Sequence, residues 1–224
     1  MRFRAASDQS MLIDLGDEIG LATHARVLKL LRLLQKEPPA WLRNMQPAYC
    51  SLLISFDASR VDHAAVETAL RRFEQRSESL RSLQPRTIRI PVCYEGDFAP
   101  DIHEVARLHN LSIKDVIRIH TSRAYLAYFL GFVPGFAYLG DLSEDIATPR
   151  LDTPRKRVPA GSVGIAGKQT AVYPFATPGG WRLIGRTPLP LFRTDREPFG
   201  LISMGDQVRF RSISPGKFEE LASP

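Results

Sequence analysis

Gly161-Ser162-Val163-Gly164-Ile165-Ala166-Gly167-Lys168-Gln169-Thr170 decides how the second half of this 224-residue chain is read. A glycine-rich run ending in Gly-Lys invites comparison with a phosphate-binding loop, where backbone amides cradle phosphate between a strand and a helix. The spacing does not fit. Five residues separate Gly161 from Gly167 where that loop needs four, and Gln169 stands where a magnesium-binding Ser or Thr belongs. The flanks, Ser162–Ala166 and Thr170–Tyr173, read instead as the arms of a β-hairpin. Its three glycines, spaced by three residues, mark backbone packed close to another strand or to a ligand.

The same texture extends on both sides. After Arg123 the chain is a series of short apolar segments punctuated by Gly and Pro: Tyr125–Val133, Phe136–Leu139, the two hairpin arms, Trp181–Gly185, Leu201–Met204 and Gln207–Ile213. Such spacing argues for an antiparallel barrel or sandwich, with Gly205-Asp206 as a hairpin-type turn. Upstream, Ile88, Ile90 and Val92 alternate as in a strand. Two short helices follow, Asp101–His109 and Ser112–His120, the second opened by the capping box Ser112-Ile113-Lys114-Asp115.

Residues 1–85 read differently. Met11–Leu15 and Tyr49–Phe56 are strand candidates, and Val27, Leu30, Leu31 and Leu34 recur at helical spacing until Pro38-Pro39 stops the helix. Ser59-Arg60-Val61-Asp62 starts a second helix with the apolar stripe Val66, Leu70 and Phe73. Two helices against a few antiparallel strands is the ferredoxin-like pattern. Gln84-Pro85 reads as the linker, giving domains over 1–85 and 86–224.

Composition narrows the function class. Hydrophobic residues at 44% and charged residues at 24% suit a soluble globular protein. No apolar run approaches the roughly 18 residues of a membrane helix, and no apolar signal region follows Met1-Arg2-Phe3-Arg4. Cys50 and Cys93 are too few for a disulfide framework or a closed zinc site, so a reducing cytoplasm is the simplest location. The net charge of +6 is concentrated: no acidic residue occurs between Asp152 and Asp195. Glycines, prolines and aromatics interrupt the cations there, which suits a small anion or an acidic partner better than nucleic acid.

No self-contained catalytic set stands out. The histidines lack metal-ligand spacing, and no metal site is expected. His120, at a helix C-terminus, either complements the helix dipole or transfers protons. Two aromatic-glycine segments carry more information. Gly131–Gly140 sets Phe132, Phe136 and Tyr138 around the Pro134-Gly135 turn. Gly179–Pro188 places Trp181 and Leu183 on one side of a strand, Arg182 and Ile184 on the other. Aromatic walls, exposed amides and a guanidinium suit a small planar carboxylate or lactam acid; the competing reading is packing at a barrel corner.

Ile90-Pro91-Val92-Cys93-Tyr94, Gly131–Gly140, VPAGSVGIAGKQTAVYP over Val158–Pro174, TPGGWRLIGRTPLPLF over Thr177–Phe192 and Gly205–Phe210 together carry a resemblance. The chain resembles the family of the 5-oxoprolinase B subunit, the Kip sporulation-kinase inhibitor and allophanate hydrolase subunit 1, which carries a carboxyltransferase-type cyclophilin-like domain. The resemblance implies an α+β fold, with an N-terminal ferredoxin-like domain followed by a C-terminal cyclophilin-like β-barrel. It implies work with subunits A and C to hydrolyse 5-oxo-L-proline to L-glutamate, driven by ATP with magnesium. Within its motifs, Lys168 and Arg186 are catalytic candidates, and His120, outside them, is a third. Pro134, Gly135, Phe136, Tyr138, Gln169, Gly179, Gly180, Trp181 and Arg186 are the substrate-binding candidates, and Arg150 and Arg155 the candidates for an anion or a partner. The alternatives are an inhibitor that binds a histidine kinase, or a subunit of an allophanate- or urea-processing complex.

Overall fold

The computed structural model describes residues 1–78 and 85–223, so Gln84 of the expected linker lies outside the described residues. The chain divides into two compact units, Met1–Gln84 and Pro85–Pro224.

The first unit is built on a hairpin of β1 (Arg2–Ser7) and β2 (Ser10–Asp14), followed by α1 (Leu21–Lys36), β3 (Leu42–Pro47), β4 (Ser51–Phe56) and α2 (His63–Glu78). The sheet order is β1-β2-β4-β3, antiparallel throughout. The run β2-α1-β3-β4-α2 has the ferredoxin-like connectivity, with β4 inserted between β2 and β3. The fourth strand position, beside β2, is filled from the N-terminus by β1. Period-two burial of Met11 and Ile13 on β2 and of Leu52, Ile54 and Phe56 on β4 meets the helical stripes Val27-Leu30-Leu34 and Val66-Leu70. The Asp62 carboxylate caps α2 by accepting the Ala65 amide at 2.8 Å.

The second unit contains β5 (Thr87–Cys93), α3 (Ile102–Leu108), α4 (Ile113–Thr121), β6 (Tyr125–Leu130), β7 (Ala137–Gly140), β8 (Arg155–Val158), β9 (Ser162–Ala166), β10 (Gln169–Val172), β11 (Thr177–Gly179), β12 (Arg182–Arg186), β13 (Gln207–Ile213) and α5 (Pro215–Ala222). Seven strands close a barrel in the order β10-β7-β6-β13-β5-β12-β9, while β8 and β11 pair as a separate ribbon. The fold is thus the expected α+β arrangement of a ferredoxin-like unit and a cyclophilin-like barrel. One departure from a purely antiparallel barrel is the β5–β13 pair, which runs parallel from Gln207↔Thr87 to Ile213↔Cys93.

Leu201–Met204 is not a strand, so Gly205-Asp206 closes no hairpin. The turn instead enters β13, with Asp206 accepting from Arg86 at 2.6 Å and from the Ser203 amide at 2.7 Å. The glycine-rich run is a hairpin, β9–β10, turning at Gly167 and Lys168.

Ser112 caps α4 as its sequence implies, accepting the Asp115 amide at 3.1 Å. That cap starts the helix that carries His120 into the barrel core, where it is fully buried. Thr170 Oγ1 donates to the Gly164 carbonyl at 3.0 Å, so it receives the His120 Nε2 proton at 3.0 Å. Nδ1 is left to accept from the Tyr94 hydroxyl at 2.8 Å. Phe210 stacks on the imidazole at 4.5 Å. Burial holds this ring neutral, with its pKa pushed down to about 3.

Candidate functional site

β9, β10 and β12 form a wall buried on both faces. Val163, Ile165, Val172 and Ile184 face the barrel interior, while Ala166, Ala171, Tyr173, Trp181 and Leu183 join Phe136 and Val158 in a second cluster outside it. The alternation of Trp181 and Leu183 against Ile184 is the one the strand pattern implies.

A cleft of about 210 Å³ opens on this outer cluster. Phe136 stands at its centre, edge-on to Tyr138 at 5.0 Å, to Tyr173 at 5.3 Å and to Trp181 at 5.6 Å. The β6–β7 connection supplies Phe132 at the rim, 59% exposed and held at φ +69°, a conformation uncommon outside glycine. The opposite side is the ribbon end, Pro178-Gly179-Gly180, with Pro154 beside it. Gly179 is required there. A Cβ at that position would stand 2.5 Å from the Tyr173 hydroxyl oxygen, so only glycine lets the ribbon approach the phenol.

Arg150 supplies the charge. Its guanidinium lies 5.8 Å from the Trp181 ring centroid, is exposed, and has no ion pair or hydrogen bond among the described residues. Burial raises the Tyr173 pKa, against the opposing pull of the Trp181 backbone amide, Arg150 and Arg155, so the phenol remains a donor at neutral pH. None of the residues that line the cleft is an acid, histidine, cysteine, serine or lysine. The arrangement can bind and orient a small anion with a flat apolar body, and it lacks a general base.

The sequence-derived candidates therefore separate. Phe136, Tyr138, Arg150, Gly179, Gly180 and Trp181 come together in the cleft. Pro134 and Gly135 shape the turn behind it, Gly135 (φ +81°) packing on Phe192. Arg155 lies behind the ribbon, bonded to Asp101 at 2.6 Å, and Asp101 also accepts the Leu183 amide at 2.6 Å. This ion pair ties β8 to β12. Lys168 is at the hairpin tip, paired with Glu144, and Gln169 opens β10 opposite Ala166. Arg186 donates to the Ala160 carbonyl at 2.8 Å, and His120 is sealed in the barrel. None of these last four lines the cleft. Phe132, Pro154, Tyr173 and Pro178 join it without having been sequence candidates. Tyr173 was within reach of period-two reading, since it shares a strand face with Ala171.

The residues do not fit a nucleotide phosphate at the glycine-rich hairpin. The Gly161 amide already donates to the Tyr173 carbonyl at 2.7 Å and the Gly167 amide to the Thr148 carbonyl at 2.8 Å, while Lys168 is held by Glu144. The cleft is also below the roughly 300–1,000 Å³ that drug-sized ligands occupy. Among the described residues no group of three or more acidic, histidine or cysteine side chains is placed to hold a metal, and no helix is long and apolar enough to cross a membrane.

The 5-oxoprolinase B subunit of Bacillus subtilis is 42% identical over 217 residues, covering 92% of this chain and 90% of that protein. The crystal structure of TTHA0988 superposes with a TM-score of 0.82 at 33% identity, covering 93% of this chain but only 40% of that one. The urea amidolyase of Lachancea kluyveri is a distant relative, 24% identical over 95% of this chain and 13% of its own length. A family model described as carboxyltransferase domain, subdomain C and D, matches residues 1–202. With its barrel, its outer aromatic cleft and this match along most of its length, the chain belongs to the carboxyltransferase domain family, subdomain C and D.

Proposed function

We propose that this chain is the B subunit of an ATP-dependent 5-oxoprolinase, acting with subunits A and C to hydrolyse 5-oxo-L-proline to L-glutamate. The observation that carries the reading is 42% identity to a 5-oxoprolinase B subunit over nearly the whole chain. The cleft supports it chemically. A small lactam acid presents a flat ring to Tyr138 and Trp181 and a carboxylate to Arg150, while the Tyr173 phenol donates a hydrogen bond. An unstrained lactam is a poor electrophile, so hydrolysis needs both activation and a base. The cleft offers neither, which supports reading the chain as one part of a composite site and as inactive alone. Nucleotide chemistry falls to the other subunits on this reading.

An inhibitor that docks on a kinase needs no such cleft, and the urea-processing relative stands much further away in sequence. The test is reconstitution: this chain mixed with subunits A and C, with ATP, magnesium and 5-oxoproline, and glutamate measured. Release should require all three subunits. Equal release when this chain is omitted would overturn the proposal.

A further inference from the structure

Away from the cleft, the outer face of the β5–β13 pair presents an unusual arrangement of charge. Arg89 on β5 is the direct register partner of Arg209 on β13, and Arg211 follows two residues on, opposite Pro91. All three arginines are exposed, and none has an ion pair or hydrogen bond among the described residues. Arginines elsewhere, Arg4, Arg43, Arg86 and Arg155 among them, hold carboxylates at 2.6–3.0 Å. Like charges directly opposite in a sheet are destabilising, so this ladder costs the isolated chain something.

Beside the ladder is a groove of about 560 Å³, lined by Arg89, Arg211 and Lys217 with an apolar floor of Pro91, Ile213 and Leu221. Leu221 is 40% exposed. No acidic residue lines the groove, although Lys217 pairs with Glu220 on the same helix. Side chains two residues apart on a strand are separated by about 6.6 Å. An extended segment with carboxylates at alternate positions repeats at the same interval, so it matches Arg209 and Arg211 in step.

We infer that this face docks an extended acidic segment of a partner subunit, its carboxylates on Arg89, Arg209 and Arg211 and an apolar residue over Ile213 and Leu221. The inference rests on the reading of this chain as one subunit of an assembly, and it concerns a surface separate from the substrate cleft. Charge complementarity selects the occupant. A flat ladder of separate guanidiniums suits a linear row of carboxylates, whereas a single compact phosphate is better held where donors converge.

The test compares the full chain with a triple variant, Arg89→Gln, Arg209→Gln and Arg211→Gln, and with a charge-matched control, Arg32→Gln, Arg72→Gln and Arg196→Gln. Binding of a labelled poly-glutamate peptide is followed by anisotropy, and capture of subunits A and C by pull-down. The groove variant should bind the peptide about tenfold more weakly and lose capture of a subunit, while the control retains both. Wild-type peptide binding should fade from 0.1 to 1 M salt as the Debye length contracts from about 10 to about 3 Å. Melting temperature checks folding, and relief of the like charges should leave it unchanged or higher. Equal peptide binding by the two variants overturns the inference. So does capture of A and C that survives the triple variant, including the case where inorganic phosphate or ATP proves to occupy the groove instead. If the wild type captures neither subunit, the subunit reading fails with it, while the peptide comparison still decides whether the ladder recognises acidic chain.

Discussion

The two sides of the β9-β10-β12 wall invite comparison, because a closed polar network fills the barrel interior on one side and an open one lies on the other. Inside the barrel, His120, Tyr94 and Thr170 exchange hydrogen bonds whose donors and acceptors are all assigned, and Tyr125 donates to the His120 carbonyl at 2.8 Å. Outside, Arg155 Nη1 and Thr177 Oγ1 are buried without a hydrogen-bond partner, and Arg150 stands free above Trp181. Buried polar groups are nearly always satisfied in folded proteins. A network closed on itself is scaffold, whereas the outer side keeps two polar atoms unsatisfied and one exposed cation at the cleft.

The largest stability effect should come from breaking the closed side. His120→Ala removes a fully buried ring and strands the Tyr94 hydroxyl, costing about 3–5 kcal/mol. Urea denaturation of the variant measures it. A loss below about 1 kcal/mol would mean the network is not the scaffold described.

Titration sharpens the same point. The unfolded imidazole titrates near 6.5, and the folded one is pushed down to about 3 by burial. Between those values the unfolded chain binds a proton that the folded chain does not. The His120 contribution is therefore fully present above about pH 6.5 and is lost as pH falls toward 3, by up to about 1.4 kcal/mol per unit. His120→Gln, which keeps a polar group in place, should flatten that slope. An unchanged slope in unfolding curves collected across this range would assign the acid sensitivity to other groups.

On the open side, Gly179→Ala tests the approach of the ribbon to Tyr173. The added methyl must displace a ring edge, which should cost about 1 kcal/mol or somewhat more in stability and narrow the cleft. Calorimetric binding of 5-oxoproline to the assembled complex should weaken more than stability does. Unaltered affinity would show that the cleft is not where this ligand sits.

The contrast also explains what the sequence could disclose. β13 and the helices α3 and α4 were legible because each buries one face against a core, and burial writes a period into the residues, while the hairpin arms, buried on both faces, were marked by short apolar runs between glycines. β1 and β3 are edge strands. In β1, RFRAAS, only Phe3 is even half-buried, so no alternation marks it, and it is recruited by backbone pairing with β2. β8 (RKRV) and β11 (TPG) are short and polar or proline-bearing for the same reason. In the cleft, the aromatic-glycine segments announced Phe136, Tyr138 and Trp181. Lys168 and Arg186 stand outside it, and a charge in sequence does not reveal that Glu144 or the Ala160 carbonyl pairs with it.

Arg150→Gln should have the smallest effect on stability and still separate the two faces most cleanly. The guanidinium is exposed and pairs with no carboxylate, so its loss should change unfolding free energy by no more than about 0.5 kcal/mol. Its role on this reading is to hold the substrate carboxylate over an apolar floor, where a charge-assisted hydrogen bond is worth more than at an open surface. Glutamate release by the reconstituted complex should fall with a raised KM, while assembly and melting temperature stay as in the wild type. Arg150→Lys keeps the charge and loses the planar fork, so it should recover only part of the affinity. Full activity in Arg150→Gln would leave the cleft without its anion receptor.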